Sequence, residues 1–237
     1  MLLNSTVTGV VLMNVVAVLL VVGRAMVFRT RLYRPMLLNV ALSVAPVLVL
    51  AAGLLVLAVL LAAGAPVGLV GTLAVVVLLG WLLLLPNAGY LITELNLSHR
   101  REGDGVPEWY DVLLVLTLAM SGVLNTLVNV FLVQLLYVAL RFDDVAGLRS
   151  TEVRAVVAAV LVLVALGVYL GRALRLNSWD ALRPGRLARA LVAHLRAPGA
   201  IAGAVGFTVL GAVFFGLMYL VVVGPLVAGV VELGSRS

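Results

Sequence analysis

The chain has 237 residues, of which 64% are hydrophobic and 11% charged, and its mean hydropathy is +1.25; soluble domains average about 45–50% apolar and about 25% charged. A soluble globular fold is excluded, because apolar runs of about 20 residues, enough to cross a bilayer core, recur along the whole chain. Cysteine and lysine are both absent, which rules out disulfides, thiolate metal sites and a P-loop or Schiff-base lysine, and the net charge of +6 is what cytoplasmic loops supply rather than a sign of nucleic-acid binding.

The expected fold is all-α, a polytopic transmembrane helix bundle of about six spans forming a single domain over residues 1–237. The first span covers 7–28, with Arg24 near its end. Its arginines follow the apolar stretch, the reverse of a cleavable signal, so it is read as a retained helix. The second covers 36–63 and contains Pro46, which should kink it. After a turn at Gly64, Pro66 and Gly68, the third covers 69–97 and is kinked at Pro86. The fourth covers 111–140 and the fifth 155–174. Residues 182–196 read as an amphipathic interfacial segment, with Leu187, Leu191 and Leu195 on one face and Arg186, Arg189 and Arg196 supplying charge. The sixth span covers 200–231.

Arginine placement sets the orientation. Twelve of the sixteen arginines fall in the first, third and fifth connections, and Arg141, Arg149, Arg154 and Arg236 lie on the opposite side. By the positive-inside rule the odd-numbered connections are cytoplasmic, and the N-terminus and C-terminus are both outside.

Three stretches break the hydrophobic monotony: Trp81 to Glu94, Val106 to Asp111, and Gly167 to Asp180. Within them stand Leu85-Pro86-Asn87-Ala88, Tyr90, Thr93-Glu94, Trp109-Tyr110-Asp111, Tyr169-Leu170-Gly171-Arg172, and Asn177-Ser178-Trp179-Asp180. On these motifs the sequence resembles the bacterial integral membrane family known as domain of unknown function 1361, over roughly residues 80 to 180. Two positions depart from that family's pattern. Gly89 stands where the family often has proline, and Leu97 stands at the spacing of the family's histidine, with His99 nearby. The resemblance implies a shared fold in a bacterial cytoplasmic (inner) membrane and carries no activity with it.

In the six-span topology all three motifs fall at cytoplasmic ends of spans, at one depth. Asn87, Tyr90 and Glu94 follow i, i+3, i+7 spacing, one stripe of a helix. Down the fourth span Asp111, Asn125 and Asn129 lie within about 40° of one another, with Ser121 at the edge. Polar side chains in a membrane helix face the bundle interior.

The sharp reading takes Glu94, Asp111 and Asp180 as candidate catalytic carboxylates. Asn87, Tyr90, Arg172, Arg175, Asn177 and Trp179 are then the candidate ligand-binding groups for an anionic lipid headgroup. The bland reading pairs the acidic and basic loops with each other and treats Ser121, Asn125 and Asn129 as interhelical glue. Whether any chemistry occurs is left open. His99 and Glu108 are weak metal candidates without diagnostic spacing, so no metal and no cofactor is expected. His194 is expected to be solvated. The partners expected are membrane lipids, with anionic lipid at 182–196, and no nucleic acid; self-association is left open. The alternative functions are a small transporter or channel subunit, or a non-catalytic membrane assembly factor.

Overall fold

The computed structural model describes residues 2–96, 105–142, 144–174 and 184–235. Among them are eight α-helices and no strand. The helices are α1 (Leu2–Val27), α2 (Arg34–Ala62), α3 (Val67–Tyr90), α4 (Glu108–Arg141), α5 (Thr151–Leu174), α6 (Pro184–Leu195), α7 (Ala200–Val222) and α8 (Gly224–Gly234). Two 3-10 turns, Leu91–Asn96 and Val145–Arg149, extend α3 and precede α5. Among the described residues six helices are long and apolar enough to cross a membrane. The protein is therefore a multi-pass membrane protein.

Local chemistry sets several boundaries. α2 ends where Gly64 takes φ +74. There Gly64 N–H donates to the Leu61 carbonyl and Ala65 N–H to that of Leu60, both at 3.0 Å, a Schellman closure that a glycine accommodates without Cβ strain. Pro46 and Pro86 both lie inside helices. The sixth long helix is shorter than the apolar run that encodes it: the expected span 200–231 divides at Val223 into α7 and α8. Pro225 has no N–H for the Val221 carbonyl and its ring crowds that turn, yet it is well suited to the first turn of a new helix.

α4 is the hub. Half of its most apolar window is buried, against 11–33% for the other five spans, and it packs on α1, α2, α3, α5 and α7. Its middle lies in the main apolar core with Leu50, Trp81, Leu85, Val164, Phe215 and Tyr219. Its N-terminal third packs with Ala17, Val21, Met36 and Leu91. At the opposite end Val138, Leu148 and Val153 pack beneath Val227, Val230 and Val231 of α8. The outward faces carry exposed Leu and Val, among them Leu19, Leu55, Leu79 and Leu210, the surface that lipid solvates.

Two glycines allow the close crossings at the centre. A Cβ on Gly167 of α5 would stand 2.3 Å from Cγ of Pro86, and one on Gly122 of α4 would stand 2.8 Å from the Ala88 carbonyl oxygen. The Pro86–Gly89 stretch of α3 is thus wedged between α4 and α5 at backbone distance. Small residues at such crossings are how membrane helices gain dispersion contact where no hydrophobic effect drives them together.

Candidate functional site

The polar stripe of α4 is committed to neighbouring helices. Asn125 and Asn14 of α1 form a reciprocal amide pair, each Nδ2 donating to the other's Oδ1 at 2.9 Å. Asn125 Nδ2 also donates to Ser43 Oγ of α2 at 2.8 Å, and the Ser43 hydroxyl donates to the Ala88 carbonyl of α3 at 3.1 Å. One turn on, Asn129 accepts from Trp81 Nε1 at 2.9 Å and donates to the Asn125 carbonyl at 2.8 Å. Ser121 donates to the Leu118 carbonyl within its own helix. Gln134 accepts from the Tyr219 hydroxyl of α7. In hydrocarbon these groups have no water to turn to, so each bond is retained by the cost of losing it.

The second cluster lies where α1 ends, α2 begins and α4 begins. Arg24 Nε donates to Asp111 Oδ1 at 2.8 Å, with the two side chains 7% and 0% exposed. Arg24 Nη1 also donates to Thr30 Oγ1, whose hydroxyl donates to the Arg24 carbonyl, both at 3.2 Å. Asp111 sits in the first turn of α4, where the helix dipole favours a negative charge. Tyr110 donates to the Leu20 carbonyl at 2.9 Å, and Gly23 leaves the room for it, since a Cβ there would be 2.8 Å from the hydroxyl. Trp109 faces outward, 61% exposed, as an interfacial anchor does.

The third cluster surrounds the 3-10 turn after α3. Asn39 of α2 donates to Glu94 Oε1 at 2.7 Å, and Thr93 donates to the Tyr90 carbonyl at 2.8 Å. Arg172, exposed at the end of α5, reaches across to the Thr93 carbonyl through Nη1 at 3.1 Å. Asn87 and Tyr90 are half-buried on α3. The helical stripe expected to join Asn87, Tyr90 and Glu94 does not extend to the acid. The α-helix stops at Tyr90, and four residues of 3-10 geometry rotate Glu94 by about 80° relative to an α-helical continuation.

Asp111, Glu94 and Arg172 therefore share one end of the bundle but hold different described partners: Arg24, Asn39 and the Thr93 carbonyl respectively. Arg175, Asn177, Trp179, Asp180 and His99 lie outside the described residues. Glu108 is exposed, and among the described residues there is no group of three or more His, Asp or Glu side chains able to hold a metal. His194 is not simply solvated as expected. Its Nε2 lies 2.9 Å from the Tyr169 hydroxyl, which also donates to the Ala200 carbonyl at 3.3 Å. The reason is the placement of α6 against α5 and α7, which turns His194 toward Tyr169 while Arg189 and Leu195 stay exposed.

Arg24, Asn14, Asn39 and Ser43 are the partners that motif reading passed over. Each is a polar residue inside an apolar run of the first two spans, and that isolation was the available signal, because an intramembrane polar group must find a partner. Arg24 stands next to the loop arginines in sequence, yet it is buried in the last turn of α1.

The chain belongs to the family described as "Protein of unknown function (DUF1361)", whose sequence pattern matches residues 47–222. No curated protein and no solved structure matches the chain. The matched region holds all three motifs, and α1 with its Asn14 and Arg24 lies before it.

Proposed function

We propose that this membrane protein binds an anionic lipid headgroup at the bundle end formed by the close of α5, the Leu91–Asn96 turn and the start of α2, and that this end faces the cytoplasm. The observation that carries the reading is the placement of Arg172. Its guanidinium is exposed at the end of a membrane span, held by a single described bond to the Thr93 carbonyl, one residue from the half-buried Glu94. A guanidinium anchored by one nitrogen still presents N–H donors for a phosphate oxygen. Glu94, fixed by Asn39, would accept from a headgroup hydroxyl or ammonium. The amphipathic α6, with exposed Arg189, and the exposed Arg196 just after it add attraction to anionic lipid at the same level. The arginine asymmetry between the two sides of the bundle supports the cytoplasmic assignment.

The polar stripe of α4 gives conduction little support, because Asn125, Asn129 and Gln134 are used in bonds between helices. The test is to identify lipids retained after purification in detergent, by mass spectrometry, for the native chain and for R172Q. Enrichment of one anionic class, reduced severalfold in R172Q, is expected. Retention that mirrors the bulk membrane, unchanged by R172Q, would refute the proposal.

A further inference from the structure

The connection between α1 and α2, residues 28–33, lies at the same end of the bundle as Asp111, on a different element from Arg172. Its charge has one sign. Arg29, Arg31 and Arg34 are exposed, and no acidic residue occurs in the chain before Glu94. Between these arginines stand Leu32 and Tyr33, 41% and 39% exposed. Guanidinium groups suit phosphate oxygens through paired N–H donors, and an aromatic and an aliphatic side chain beside them suit the level where headgroups meet acyl chains.

The loop is also fixed from inside. Thr30, between Arg29 and Arg31, both donates to the Arg24 carbonyl and accepts from Arg24 Nη1 at 3.2 Å. Arg24 in turn is clamped by Asp111 at 2.8 Å. Arg29 takes φ +54, a conformation non-glycine residues adopt rarely, so the tether selects a specific backbone path rather than leaving slack. With Thr30 turned inward, its two neighbours are turned out.

We infer that residues 29–34 form a docking loop for the phosphate groups of anionic lipid, and that the buried chain Asp111–Arg24–Thr30 sets the loop's shape. The occupant is lipid rather than a soluble anion, because Leu32 and Tyr33 are exposed among the arginines at the end of two membrane spans. The inference rests on the bundle spanning a membrane and does not need the Arg172 site.

The experiment is native mass spectrometry of the full chain in micelles carrying equal phosphatidylglycerol and phosphatidylcholine, with R29Q/R31Q, T30V and R172Q in parallel. A loop arginine near a charged surface contributes about fivefold, so R29Q/R31Q should lower the phosphatidylglycerol preference by at least about fivefold. T30V leaves every charge in place but frees the loop, and should lower the preference roughly two- to tenfold through the ordering that binding must then supply. If R29Q/R31Q does not fold, R29G/R31Q removes the same charges while relieving the positive φ, and decides the point. Wild-type preference in the arginine pair variant, or in T30V, overturns the inference. Displacement of the lipid by millimolar inorganic phosphate also overturns it, by showing a soluble-anion site. The R172Q result bears only on the function proposed above, so the two readings can fail separately.

Discussion

Replacing Asp111 with leucine should be the most damaging single change at the Arg24 end of the bundle, and replacing Arg24 as well should restore much of the loss. Asp111 is fully buried and Arg24 nearly so, with Nε and Oδ1 2.8 Å apart. With the charge centres about 4 Å apart, the attraction is about 4 kcal/mol at an effective dielectric of 20. D111L leaves a buried guanidinium uncompensated, which costs about 3–5 kcal/mol. R24L strands the carboxylate, offset by about 0.3–1 kcal/mol from the α4 dipole. The R24L/D111L pair removes both desolvation penalties, so it should lie within about 1–2 kcal/mol of the native chain, as replaced buried ion pairs often do. The coupling energy from the double-mutant cycle should therefore be about 3 kcal/mol or more. Equilibrium unfolding in mixed micelles by titration with dodecyl sulfate, followed by circular dichroism, measures it. Additive single-variant losses, with coupling below about 0.5 kcal/mol, would refute the claim that these charges act as a buried pair.

N125A removes the amide bonded to both Asn14 and Ser43; at about 0.6 kcal/mol per interhelical bond in a membrane, the same unfolding assay should show a loss of about 1–2 kcal/mol. G167A places a methyl 2.3 Å from Pro86 Cγ and should cost about 1–3 kcal/mol through overpacking, whereas G71A, whose added Cβ meets no neighbouring atom within 4 Å, should cost nothing measurable. Y169F breaks the link to His194 and Ala200; amide hydrogen exchange across α6 should rise several-fold while exchange in α4 stays unchanged. Because the chain has no cysteine, R31C carries a unique thiol: in intact cells it should resist a membrane-impermeant maleimide and react once the membrane is permeabilised. Labelling from outside would invert the orientation.

Composition and run length alone determined that the chain is a helical membrane bundle, since a 30 Å hydrocarbon layer demands about 20 apolar residues and little else in a sequence satisfies that. The motif spacing was enough to indicate the family, and span counting put the motifs at span ends on one side of the bundle. The tertiary structure decided the rest because it depends on which helix faces which. No local pattern tells that Asn14 meets Asn125, 111 residues away, or that Arg24 leaves the loop charges to pair with Asp111, 87 residues on. The division of 200–231 at Val223 was written in Gly224-Pro225 but masked by unbroken hydropathy. The position of Glu94 turned on a switch from α to 3-10 geometry at Tyr90, a change of pitch that hydropathy does not encode. The sequence thus determined the solvent and the length of the spans. Close approach at Gly122 and Gly167, and the partnering of lone polar groups that lipid cannot solvate, decided how those spans meet.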